Sequence, residues 1–229
     1  MIRAGWIRWY AQDMKQLRLP PLIVDIIQSG VLACEGILFD CRDACPVCGG
    51  PVSGYDTRKK QFAVMLKEGV PYPLHVYVRR FSCRECGMIS FADEPFYPGT
   101  RHGSPVVDLC RTLSMTIPFH RTRALMAQMG IVIDRGTVRN YAHGSFPEIP
   151  TSDLFGIRIP LSVISLSSLT AGEGGRIIGA EALTACGFPS AYRAAPDLPL
   201  FPEQRDERNN KESYKERQPQ HPEDHGQGQ

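Results

Sequence analysis

Cys45-Pro46-Val47-Cys48-Gly49-Gly50 and Cys83-Arg84-Glu85-Cys86-Gly87, separated by the 34 residues 49–82, decide how this chain is read. A Cys-x-x-Cys turn sets two sulfurs on one side of a metal, and a second such turn completes a tetrahedral shell of four soft ligands. Glycine follows the second cysteine of each pair, which lets the backbone curl tightly around the sulfurs. Each knuckle adjoins a β-like run, and the clearest is Leu74-His75-Val76-Tyr77-Val78-Arg79-Arg80-Phe81, rich in β-branched and aromatic residues. The pattern predicts a zinc ribbon over residues 45–98, made of short antiparallel strands, with Cys45, Cys48, Cys83 and Cys86 holding one structural Zn2+. With sulfur at all four positions, none is left open to activate water.

The interval between the pairs exceeds the ~15–20 residues of the common spacing. It contains Gly54, Gly69, Pro71 and Pro73 and so has room for an extended hairpin. Arg42, Arg79, Arg80 and Arg84 are placed to offset the −2 charge of a four-thiolate zinc site. Two other readings stand beside zinc: a redox Cys-x-x-Cys, which normally comes singly at a helix start, and plain buried cysteines. Cys41 is an alternative ligand to Cys45, whereas Cys34, Cys110 and Cys186 read as small buried residues.

Downstream of the ribbon the spacing turns helical. Ser104-Pro105 is a helix start with serine as cap, and Val106, Leu109, Cys110 and Leu113 recur at three- and four-residue intervals. A second helix follows Pro118, with Thr122, Leu125, Met126 and Met129 as its stripe and Gly130 as its end. Asp134 then caps Arg135-Gly136-Thr137-Val138-Arg139-Asn140-Tyr141-Ala142. Three short helices with a tight turn before the last describe a helix-turn-helix over residues 99–145. With Val138, Tyr141 and Ala142 inward, Arg135, Thr137, Arg139 and Asn140 point outward. These side chains suit base edges and phosphates, and Arg121 and Arg123 on the preceding helix suit phosphates. The bland alternative is a helical packing module with solvated arginines. His102, His120 and His143 read as surface residues.

Charge supports the DNA-facing reading. The chain has 26 Lys+Arg and 24 Asp+Glu, a net +2 that conceals a +6 balance over residues 1–144. Residues 101–144 alone hold six Arg against two Asp. A hydrophobic share of 42% and a charged share of 22% exclude wholesale disorder. No apolar run approaches a membrane span, and Trp6, Arg8 and Trp9 occupy the place of a signal peptide's apolar core, so a cytoplasmic protein away from membranes is expected. Residues 1–44 form an N-terminal helical segment, with helices expected over 7–17 and 22–27, the latter ended by Gly30. Beyond Pro147 and Pro150, residues 151–198 read as a strand over 157–169 and a helix over 176–186. Residues 202–229, polar and almost without aromatic or aliphatic side chains, read as a disordered tail. The fold class is α+β.

The two cysteine knuckles, then Tyr97-Pro98-Gly99-Thr100-Arg101-His102-Gly103-Ser104-Pro105, then Gly130-Ile131 and Asp134-Arg135-Gly136-Thr137-Val138-Arg139 together resemble the front end of insertion-sequence transposases, most of all those of methanogenic archaea. The resemblance covers about residues 45–142. It implies recognition of terminal repeats in double-stranded DNA, followed by a ribonuclease-H-like domain whose three carboxylates cut DNA with Mg2+. The strand that should open that domain, residues 157–168, has no acid. The glycines at 172, 174, 175 and 179 miss the dinucleotide register, and no Walker lysine follows. About 50 residues before the tail are too few for the cutting domain. The expectation is therefore a transposase-derived DNA-binding protein that is not itself an enzyme, pairing with a second copy or with a transposase. A zinc-ribbon adaptor docking on protein through residues 151–198, and the DNA-recognition half of a split transposase, are the alternatives.

Overall fold

The computed structural model describes residues 19–171 and 177–187, all in one α+β unit. The helix expected over 7–17, the glycines at 172, 174 and 175, and the tail at 202–229 lie outside the described residues. Helix α1 (Pro21–Leu32) leads to the short strand β1 (Leu38–Phe39). Two long strands follow, β2 (Val52–Lys67) and β3 (Val70–Cys83), and then β4 (Ile89–Phe91). Three helices come next: α2 (Ser104–Ser114), α3 (Phe119–Gln128) and α4 (Arg135–His143). The hairpin β5 (Thr151–Leu154) and β6 (Ile157–Pro160) runs directly into α5 (Leu161–Thr170), and α6 (Gly179–Ala185) completes the order.

The central sheet is ordered β1-β3-β2, with β4 also on β3. β2 and β3 pair antiparallel from Val52↔Cys83 to Lys67↔Val70, so the strands are long where short ones were expected. Pro71 and Pro73 fit inside β3 because of parity. The Tyr77 N–H donates to the Ile37 carbonyl, so odd-numbered residues of β3 turn their backbone groups toward β1 and away from β2. β1 pairs only at Tyr77 and Val78, which places the missing proline N–H groups on an unpaired edge. Leu74, Val76 and Val78 alternate inward and are fully buried beneath the helices.

The hairpin's far end is fastened to the helices through backbone. The Leu66 N–H donates to the Gly130 carbonyl (2.7 Å), and the Val132 N–H donates to the Val64 carbonyl (2.8 Å). The Gly103 N–H donates to the Phe62 carbonyl (2.8 Å), and a Cβ on Gly103 would lie 2.1 Å from the Phe62 ring. The segment between α3 and α4 thus covers the outer edge of β2, an edge that would otherwise leave strand groups unpaired.

Three expected elements are corrected. α1 does not end at Gly30 but passes through it to Leu32, because Gly30 lies buried on the stripe Ile23, Ile27, Val31. There a Cβ would stand 2.7 Å from the Val163 backbone carbonyl of α5, so the glycine permits close helix crossing instead of terminating the helix. Residues 157–169 are not one strand: the strand stops at Pro160, and Leu161–Thr170 is helical, burying Ser162, Val163 and Leu166. A short run of apolar and serine residues carries no clear period, and packing of α5 on α1 settles its form. Ser104 is the first residue of α2, and the cap position belongs to Gly103.

Asp108 lies buried where three parts of the chain meet. Its carboxylate accepts from the Tyr97 hydroxyl (2.8 Å) and from the Ser162 hydroxyl of α5 (2.9 Å). Burial pushes its pKa up to about 6, against the lowering effect of the two hydroxyls and Arg111. A carboxyl raised in the folded state favours folding below its unfolded pKa, and that contribution fades as pH rises through the folded value.

Two outcomes follow. Gly30→Ala should separate α1 from α5 and lower stability by roughly 1–3 kcal/mol in urea denaturation. Between pH 4 and 7 the protein should lose about 3 kcal/mol through Asp108, and Asp108→Asn, which cannot titrate and whose NH2 must donate to one of the two hydroxyls where the carboxylate accepted, should flatten that slope.

Candidate metal centre and nucleic-acid interface

The two cysteine turns are built alike. Cys45 N–H donates to the Gly50 carbonyl and Gly49 N–H to the Cys45 carbonyl; Cys83 N–H donates to the Met88 carbonyl and Gly87 N–H to the Cys83 carbonyl. Gly49 (φ 74°) and Gly87 (φ 71°) occupy the same left-handed position, which side-chain-bearing residues adopt at a cost. Arg84 N–H donates to the Pro51 carbonyl and ties one turn to the other. Because Val52 pairs with Cys83, the hairpin register brings the turns face to face.

The four sulfurs consequently lie within 4.8 Å of one another, and all four cysteines are free thiols. Sγ–Sγ separations are 3.6 Å for Cys45–Cys86, 3.4 Å for Cys48–Cys83 and 3.5 Å for Cys48–Cys86. A tetrahedron with metal–sulfur bonds of ~2.3 Å has edges of about 3.8 Å, so the cluster fits a metal ion with little movement. Cys45 and Cys83 are buried, whereas Cys48 and Cys86 face outward.

Backbone donors prepare half of the set for ionisation. N–H groups of Cys86 and Glu85 hold the Cys83 thiol down at about 6, and those of Cys48 and Val47 lower Cys45. Cys48 accepts from the Gly50 N–H, which lowers it, yet sharing protons with Cys83 and Cys86 pushes it up to about 12. A cation at the centre would replace those shared protons.

The arginines expected to offset the site are mostly occupied elsewhere. Arg42 donates to the Phe91 carbonyl (2.8 Å) and pairs with Asp93 (3.0 Å). Arg80 grips Asp56 through two bonds of 2.6 Å. Arg79 lies across Gly54, and Arg84 is exposed. Cys41 is exposed and stands outside the cluster; Cys34, Cys110 and Cys186 are buried.

In the helical part, α2, α3 and α4 pack on one another. Val138 and Tyr141 are buried on α4, while Arg135, Arg139 and Asn140 are exposed. Arg121 is exposed on α3, and Arg123 is half-buried. Thr137 has a different task from the one expected. Its N–H donates to Asp134 (2.8 Å) and its hydroxyl donates to the same carboxylate, so it completes the cap of α4. That bonding holds the Asp134 carboxyl below the ordinary carboxylate range.

His102, read as a surface residue, is instead buried, and its Nδ1 lies 2.9 Å from the Tyr141 hydroxyl. Burial lowers its pKa, and the neutral ring anchors α4 to the loop before α2. Neither His102 nor Asp108 has a local signature in sequence, since each is buried by segments far along the chain. His120 and His143 are exposed.

Comparison with protein-family models, characterised proteins and solved structures yields no match. Among the described residues no helix is long and apolar enough to cross a membrane.

Thiol titration of the native protein checks the centre. Of the eight cysteines only Cys41 is both exposed and outside the cluster, so one thiol should react fast. After a strong chelator the exposed cluster cysteines Cys48 and Cys86 should join it, giving at least three; three or more fast thiols before chelation would mean no metal is held.

Proposed function

We propose that this chain is a sequence-specific DNA-binding protein in which a structural Zn2+ on Cys45, Cys48, Cys83 and Cys86 braces a ribbon, and a helix-turn-helix reads the duplex. The observation that carries the reading is the exposed side of α4. Arg135, Arg139 and Asn140 share it, and the two acids of residues 101–144 are both otherwise engaged, Asp108 buried and Asp134 capping. Asp134 stays exposed but is bonded to Thr137 at the cap, and Arg135, Arg139 and Asn140 are of the types that reach phosphates and base edges in a major groove. Arg121 on α3 adds a phosphate contact, and Arg123 lies beside it in sequence.

Four cysteine sulfurs close enough to share one ion suit zinc or iron, and the redox-inert zinc is the choice for a purely structural brace. The ion's part is structural. It closes the open end of the hairpin whose other end is fastened beside α4.

The resemblance of the cysteine knuckles, residues 97–105 and residues 130–139 to insertion-sequence transposases supports an origin in such an element. No strand-cutting activity is proposed. Residues 157–168 lack the acid a two-metal nuclease needs, and α5 occupies most of that stretch. The remaining role is that of a repressor or accessory factor bound at terminal repeats, as a second copy of itself or beside a transposase.

Selection from a random DNA pool, followed by binding across salt, tests this. Recovery of a defined duplex site is expected, with log K falling against log salt by about 0.9 per phosphate contact. Arg139→Glu should weaken that site by about 10- to 100-fold with the thiol pattern unchanged. Unaltered binding would remove α4 from the interface, and failure to recover any site would sink the DNA reading.

A further inference from the structure

The two cysteine turns share one backbone plan, and two of the places where their side chains differ fall next to each other. Pro46-Val47 fills the first turn and Arg84-Glu85 the second. Val47 and Glu85 hold equivalent positions: the Val47 N–H is directed at the Cys45 sulfur, and the Glu85 N–H at the Cys83 sulfur. Gly50 answers to Met88, since their carbonyls accept from the Cys45 and Cys83 N–H groups respectively. The second turn thus carries a carboxylate where the first has an isopropyl group. The first turn carries glycine where the second has a long side chain.

These two differences meet in space. Glu85 is fixed by its backbone in the second turn, yet its side chain crosses to the first, where Oε2 lies 3.9 Å from Cys48 Sγ. A Cβ on Gly50 would stand 2.5 Å from the same oxygen, so the missing side chain at Gly50 makes the seat that the carboxylate occupies. Glu85 is exposed and, among the described residues, forms no ion pair. A carboxylate placed beside four sulfurs adds to their mutual repulsion unless a cation lies among them. It also brings a donor of its own, because carboxylate oxygen binds zinc at ~2.0–2.2 Å.

We propose that Glu85 is a reserve ligand, taking the place of Cys48 while the metal is loaded and released. The inference rests on the reading of the four sulfurs as a zinc centre. In the exchange the metal–sulfur bond to Cys48 breaks as a metal–oxygen bond to Glu85 forms, and the departing thiolate takes a proton from water. Cys45, Cys83 and Cys86 keep their hold meanwhile, so the ion moves through the outward side marked by Cys48, with Cys45 and Cys83 buried behind it. Cys86, the other outward cysteine, has no such substitute, because Val47 offers no donor atom at the matching position.

Cobalt(II) titration of the full chain, freed of metal and kept reduced, tests this, because charge-transfer and d–d bands distinguish sulfur from oxygen ligands. The intact protein should give a four-sulfur spectrum. Cys48→Ala should still bind the ion with three sulfurs and an oxygen, at least about tenfold more tightly than Cys86→Ala. Adding Glu85→Gln to Cys48→Ala should remove that advantage. In the otherwise intact chain, Glu85→Gln should slow zinc transfer to a chromophoric chelator by about tenfold, a readout that leaves all four cysteines in place. Equal binding by Cys48→Ala and Cys86→Ala, or unaltered transfer from Glu85→Gln, would each overturn the role of Glu85. Intact protein that takes up neither ion would instead sink the zinc reading, and this proposal with it.

Discussion

Four sulfurs within 4.8 Å of one another cannot all ionise without a cation among them. Arg42 and Arg80, two of the arginines expected to help, are already held by Asp93 and Asp56. The cluster therefore balances its charge either with shared protons, as the raised Cys48 and lowered Cys83 thiols indicate, or with a metal. The same convergence sets the register of β2 on β3, since Val52 must face Cys83 for the two turns to meet. A one-residue slip would turn Val76 and Val78 outward and Tyr77 inward, so the core and the sulfur cluster enforce the same pairing.

From that fixed end the hairpin works as a strut. At its opposite end the carbonyls and N–H groups of Val64 and Leu66 bond the segment after α3, and Phe62 bonds the residue before α2. The start of α4 is thereby placed by backbone hydrogen bonds to the sheet, and by the Asp134–Thr137 cap. His102 on Tyr141 and Asp108 between Tyr97 and Ser162 add two buried polar ties that draw the pre-helical loop, α2, α4 and α5 together. The proposed DNA-reading side chains depend on this bracing, because a recognition surface works only if its helix is held at a fixed angle.

Much of this was legible in the order of residues. The two Cys-x-x-Cys-Gly turns, the β-like run at 74–81 and the three helical stripes after residue 104 all carry strong local signals, and each corresponds to an element found. The errors fall where local signals are silent. Gly30 has the same sequence appearance whether it ends a helix or lets another helix approach, and only α5 distinguishes the two. Residues 161–170 lack any period, so their helical form waits on α1. Helical spacing turns Thr137 toward solvent, yet its hydroxyl donates to the Asp134 carboxylate three residues away.

What the sequence determined by itself was chemistry tied to short spacing: which cysteines could share a metal, where Asp134 would cap a helix, and which α4 residues would face out. Apart from the joining of the two cysteine pairs, which the hairpin register achieves, those rest on spacings of three or four residues. Tertiary structure decided the rest: burial of His102 and Asp108, and fastening of the hairpin to the helices. Each of these joins residues from separate segments, and such contacts form only once the hydrophobic core has fixed which side of every strand and helix is turned away from water.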